Sequence, residues 1–141
     1  MTKRFRLQIS GTDVVFHLLM FDNKKGLHEY SGRKIGKKAP SDVGAGCCMY
    51  NNGSRTIDIC LTLEFVSHHI IGHEAFHATL AWARMNKRRY TRSKWLLMLT
   101  CDDTGEYVDL REEDLADICG SLISEIWRHF RKSYVQKGEW A

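Results

Sequence analysis

Proline occurs once in the 141 residues, at Pro40, and no apolar run approaches the roughly 20 residues needed to cross a bilayer. The longest candidate, "WLLML" at residues 95–99, reads as a core segment. The basic N-terminus "MTKRFRLQIS" has no apolar stretch behind it, so no secretory leader is expected and a cytoplasmic location is. Cysteine is present five times, at Cys47, Cys48, Cys60, Cys101 and Cys119, an odd set without a C-x-x-C pair. That excludes both a self-contained disulfide framework and a zinc ribbon, and leaves reduced, mostly buried thiols as the expectation. No repeat or low-complexity tract is evident, and hydrophobic residues make up 43% with four tryptophans, which excludes disorder. One domain spanning residues 1–141 follows from the length.

What charge there is lies unevenly. The net +4 is concentrated in "GRKIGKKAP" and "NKRRYTRSK", which read as solvated loops or helix ends. A basic run with an interleaved tyrosine could touch phosphates, but no nucleic-acid-reading module accompanies it.

Residues 5–9 alternate apolar and polar, and residues 14–21 form a β-branched and aromatic run, so "SGTD" between them turns two strands. "DNKKGLHEYSG" predicts a short helix closing near Gly32. "VGAGCCMY" and "TIDICLTLEF" flank "NNGSR", an Asn-Gly hairpin signal. Within the second, Ile57, Ile59, Leu61 and Leu63 alternate with Asp58, Cys60, Thr62 and Glu64, predicting a strand with one buried face. A further helix is predicted from Asp109 as N-cap with Glu112 completing a capping box. Its stripe of Leu115, Ile118, Cys119, Leu122, Ile123, Ile126, Trp127 and Phe130 faces the core. The fold class expected is α+β: a small mixed or antiparallel sheet from the N-terminal half, packed on two helices.

The first of those helices carries the chemistry. "SHHIIGHEAFHATLAW" has Ser67 as N-cap and spells H-E-x-x-H at His73, Glu74 and His77. Residues four apart lie one turn above each other on one helix face, so both imidazoles can reach one metal ion, while Glu74, offset sideways, can hold a metal-bound water. His69 continues the same spacing but would leave no glutamate in the water-activating place, so it reads, with His68, as a residue at the site mouth. Catalytic zinc takes three protein ligands and keeps one position open. No third histidine follows at short spacing, so the third ligand must come from another element.

"EDLADICGSL", residues 113–122, resembles the second zinc helix of the gluzincin metallopeptidases, where E-x-x-x-D follows H-E-x-x-H. Small single-domain zincins of phages and bacteria, and the ImmA/IrrE-type peptidases, carry a similar E-x-x-A. Both patterns fit Glu113, Ala116 and Asp117. The resemblance covers residues 57–127 in element order, with specific motifs at fewer than twenty positions. It implies a minimal zincin-like fold with Zn2+ held by His73, His77 and Glu113, and Asp117 accepting the outer N–H of His73. Glu112 is the rival ligand: it points closer to the apolar stripe, but its capping role already accounts for it. Glu113, Ala116, Asp117, Gly120 and Ser124 form a narrow stripe of mostly small residues, expected to let the two helices approach closely.

The implied activity is a zinc metalloendopeptidase acting on a protein or peptide, in the host cytoplasm if phage-encoded. Zinc-bound water, its pKa lowered toward about 7, attacks the peptide carbonyl while Glu74 takes and returns the proton. Such enzymes add an oxyanion donor, for which Tyr107, Tyr90, His69 and His68 are candidates. If the strand at residues 57–63 is an exposed edge, it is the expected rail for an extended substrate. Two alternatives stand: a catalytically silent zinc-binding interaction domain, and a nucleic-acid-associated protease akin to the SprT-type family, whose zinc ribbon is missing here.

Overall fold

The computed structural model describes residues 3–35, 46–51, 53–85 and 106–136, the side chains of residues 34–35, 106–113 and 133–136 excepted. Strands β1 (Lys3–Arg6) and β2 (Val15–Phe21) lead to helix α1 (Lys24–Ile35). Strands β3 (Gly46–Asn51) and β4 (Thr56–Thr62) follow, then helices α2 (His68–Met85) and α3 (Glu106–Gln136). The protein is therefore an α+β domain built on a four-stranded sheet of order β1-β2-β4-β3. The sheet is mixed, with β2 and β4 parallel and the two outer pairs antiparallel. No described helix is long and apolar enough to cross a membrane.

Pleat alternation divides the core in two. Phe16, Leu18 and Met20 of β2 and Ile57, Ile59 and Leu61 of β4 are almost fully buried on one face, where α2 and α3 cover them with Ile71, Ala75, Ala78, Ile118, Leu122, Ile126 and Phe130. Burying each large side chain here is worth about 1.5–3 kcal/mol. The other face buries Leu19, Phe21 and Cys60 under Leu27 of α1. β4 is thus buried on both faces at its C-terminal end, and it is not an edge: β2 and β3 flank it. That overturns it as a substrate rail, because its main-chain groups are already spent on ladder bonds; β3 is the edge strand instead.

Local chemistry sets the helix starts. The Asn23 side chain accepts the N–H of Gly26 (2.9 Å), placing that glycine in the first turn of α1, where it costs little, and the helix runs past Gly32 to Ile35. Ser67 caps α2 as predicted: its hydroxyl accepts the N–H of Ile70 (3.2 Å) and its carbonyl that of Ile71 (3.0 Å). Helix α3 starts at Glu106, three residues before the expected cap, so Asp109 lies inside its first turn and is not its N-cap. In the β3–β4 turn Arg55 adopts a positive φ of 56°. Its guanidinium bonds Asp13 (2.8 Å) and the Met85 carbonyl (3.0 Å), tying the turn to the end of α2. The predicted element around residues 95–101, and both basic runs in most of their length, lie outside the described residues.

Candidate metal centre

Helix α2 lies across β3 and β4 with Ala75, Ala78 and Ala81 buried beneath it. Alanine at these positions brings the helix axis close to the sheet, while His73 and His77 lie on its exposed side. The Nε2 atoms of His73 and His77 stand 3.2 Å apart, their rings meeting edge to face at 4.7 Å between centroids. Two nitrogens bound to one tetrahedral zinc at about 2.0–2.1 Å would be separated by about 3.3–3.4 Å. The imidazole pair is already at ligand spacing.

Glu74 sits between this pair and the sheet. Its Oε1 is 3.8 Å from His73 Nε2, and its side chain is only 6% exposed against 53% for His73. The other carboxylate oxygen, Oε2, is buried and has no hydrogen-bond partner among the described residues. Burial pushes the pKa of Glu74 up to about 7, because desolvation penalises the charged form. An orphaned buried carboxylate oxygen is costly, and it is what a site completed by a cation and its water would relieve. Ligand atoms of His73, Glu74 and His77 all lie within 4.8 Å of one another, so the cluster could hold a metal ion.

Strand β3 walls the other side of a cleft of about 450 Å³ containing these three side chains. Gly46 makes that wall thin: a Cβ there would fall 2.9 Å from Glu74 Cγ and 3.0 Å from the Cys60 carbonyl oxygen. Only the missing side chain leaves Glu74 room to lie against the strand. Cys48, two residues on, also lines the cleft, its thiol pushed up to about 12 by burial and by the negative charge of Glu74. Tyr50 and, from the end of α2, Arg84 complete one end. Sequence reasoning passed over these four. The signal was there in the period-two spacing of Gly46, Cys48 and Tyr50, and in the seven-residue step from His77 to Arg84.

Of the oxyanion candidates, His69 lines the cleft, its ring 6.1 Å from that of His73. His68 is instead packed on Trp127 of α3, with ring centroids 4.6 Å apart. Tyr90 lies outside the described residues, as does the side chain of Tyr107 at the start of α3.

The side chains of Glu112 and Glu113 are likewise outside the described residues. The stripe of small residues that follows them is not the helix seam expected. Ala116, Asp117 and Gly120 are exposed, and a Cβ on Gly120 would meet no atom within 4 Å. They border a shallow depression with Gln8 and Glu125. The bulky stripe of Ile118, Leu122, Ile126 and Phe130 takes the inner face, since burying those side chains gains more than a close approach of small ones. Asp117 is accordingly exposed, and no hydrogen bond among the described residues joins it to His73. The expected carboxylate support of His73 by Asp117 is absent from this arrangement.

Family models, curated proteins and solved structures were all searched, and none matches this chain.

Proposed function

We propose that the protein is a zinc-dependent metallopeptidase. The observation that carries this reading is the pair of imidazole nitrogens held 3.2 Å apart on one rigid helix, beside a buried carboxylate oxygen that has no partner among the described residues. When bound, zinc lowers the pKa of a coordinated water and polarises a carbonyl. His73 and His77 hold the ion. Glu74 takes the proton of the attacking water and delivers it to the leaving amine. Its wall of Gly46 and Cys48 keeps one flank of the carboxylate dry, and His69 is placed at the mouth to donate to the developing oxyanion. The substrate lies extended along β3, which ends the sheet and leaves its outer main-chain groups to pair with a peptide.

The third ligand comes from the first turns of α3. Glu112 precedes Leu115 and Cys119, both packed against the core, by three and seven residues. Glu113 precedes the exposed Ala116, Asp117 and Gly120 by three, four and seven. With Asp109 no longer the cap, the capping box that set Glu112 aside is gone. Glu113 stands as the proposed third ligand with Glu112 as its rival, both side chains lying outside the described residues.

A silent zinc-binding domain has no use for a buried acid that lacks a partner, so the orphaned oxygen of Glu74 favours the enzyme. The test is cleavage of an unstructured protein by the zinc-loaded chain and by Glu74→Gln. An enzyme loses cleavage and keeps zinc; equal behaviour of the two proteins rules the proposal out.

A further inference from the structure

On the sheet face packed under α1, two cysteines stand opposite each other, Cys47 also reaching the rim of the metal cleft. Cys47 of β3 and Cys60 of β4 are direct partners in the antiparallel register. Both belong to the small cluster under α1, Cys60 fully buried and Cys47 half-buried beside it. Their thiols are near enough for each to perturb the other's ionisation. Cys48 alternates to the opposite face and packs on the main core, as does Cys119 from α3, so neither shares this position. Opposed residues of an antiparallel pair have Cα atoms about 4.5–5.5 Å apart, inside the span of about 4.4–6.8 Å that a disulfide bridges. A cross-link needs no shift of register.

We infer that Cys47 and Cys60 are a reversible dithiol–disulfide pair, a thiol-oxidation site that clamps the edge strand β3 to the centre of the sheet. The two sulfurs divide the work. The neighbouring Cys60 thiol holds the Cys47 thiol below its ordinary pKa, while Cys47 and burial push Cys60 up. Cys47 is also the more accessible, on a strand at the sheet's edge.

The oxidant is a low-molecular-weight disulfide such as glutathione disulfide. The Cys47 thiolate attacks one of its sulfurs and expels one glutathione thiolate, leaving a mixed disulfide on Cys47. Cys60 gives up its proton as its sulfur attacks Cys47 Sγ, and the second glutathione leaves. The protein loses two protons and two electrons in all, and the oxidant becomes two thiols. The bridge closes the loop from residue 47 to residue 60, and such a closure is expected to raise the melting temperature by about 5–10 °C. The other face of the clamped strand carries Gly46 and Cys48 against Glu74, so the bond also fixes the wall of the metal cleft. Its formation does not depend on what the cleft does.

The experiment equilibrates the full chain in glutathione buffers of increasing oxidised fraction, quenches the thiols, and reads intact mass, non-reducing peptide maps and melting temperature. The expected result is loss of two hydrogens, one bridge joining the peptide of residues 47–48 to that of residue 60, and a higher melting temperature. The bridge should persist in Cys48→Ser and vanish in Cys47→Ser, with circular dichroism confirming that both variants fold. A stable glutathione adduct without an internal bridge overturns the inference. So does a bridge that survives Cys47→Ser, or one that needs Cys48.

Discussion

Under the proposed mechanism, replacing Gly46 with alanine would separate metal binding from proton transfer, because the nearest side chain across the cleft wall is that of Glu74. The added methyl would sit 2.9 Å from Glu74 Cγ, 3.0 Å from the Cys60 carbonyl oxygen and 3.1 Å from Leu61 Cδ2. Carbon pairs are most favourable at about 3.5–4.0 Å, so each neighbour must retreat by several tenths of an ångström. The Cys60 carbonyl is part of a strand paired on both sides and cannot retreat alone. Relief therefore comes from the Leu61 and Glu74 side chains, and Glu74 moves toward the cleft. Overpacking of this kind costs about 1–3 kcal/mol, or about 3–10 °C of melting temperature for a chain of this size. A catalytic group displaced by about 1 Å loses about 100-fold in rate; a shift of several tenths sets the expected loss in kcat/KM at about 10- to 100-fold. Zinc affinity, measured by competition with a chromogenic chelator, should stay within about twofold. Wild-type activity and stability in Gly46→Ala would refute the close packing of Glu74 on β3. Parallel loss of zinc and activity would show that the residue supports the ligands rather than the base.

Gly120→Ala should raise stability by about 0.5–1 kcal/mol in chemical denaturation, since it relieves a helix-interior glycine with open space at its Cβ; a loss of stability would restore the close helix seam there. Glu74 binds its proton more tightly when folded, with a pKa pushed up to about 7 from the ordinary 4.5. Stability of the metal-free protein should therefore be full below about pH 4.5, fall as pH rises toward 7, and level off above it. At about 1.4 kcal/mol per unit the fall is bounded near 3.5 kcal/mol, and solvent on the cleft side reduces it to about 1–2 kcal/mol. Denaturant titrations of metal-free wild type and Glu74→Gln across that range check it, and a variant retaining the same fall would contradict the assignment. Alanine at the third ligand, Glu113 or its rival Glu112, should weaken zinc binding by at least about 100-fold; full zinc affinity in both variants would remove the first turns of α3 from the ligand set.

The sequence made the local features of the site legible, because they depend on spacing within one element. Ser67, His73, Glu74 and His77 needed only the helical period, and the hydroxyl cap and imidazole pair follow from it. The alternation of Ile57, Ile59 and Leu61 was likewise enough to identify a strand. Whether that strand lay at the edge was not legible, since strand order is fixed by pairings between distant segments: besides its hairpin partner β3, β4 pairs with β2 across more than 30 intervening residues. The small residues around Gly120 misled for a related reason. Small side chains permit close approach without driving it, and the larger apolar stripe two residues away decided which face turned inward. The capping-box pattern at Asp109 and Glu112 is real in sequence, but residues 106–108 extend the helix ahead of it. Gly46 escaped notice because its partner, Glu74, stands 28 residues away and only the folded contact reveals it.

Zinc content after exhaustive dialysis tests the metal centre most directly, read by elemental mass spectrometry on the wild type and on Glu74→Gln, His73→Ala and His77→Ala. One zinc per chain in the first two, and none in either histidine variant, is the predicted pattern. Zinc retained by both histidine variants, or absent from the wild type after reconstitution, would contradict the assignment of His73 and His77 as its ligands.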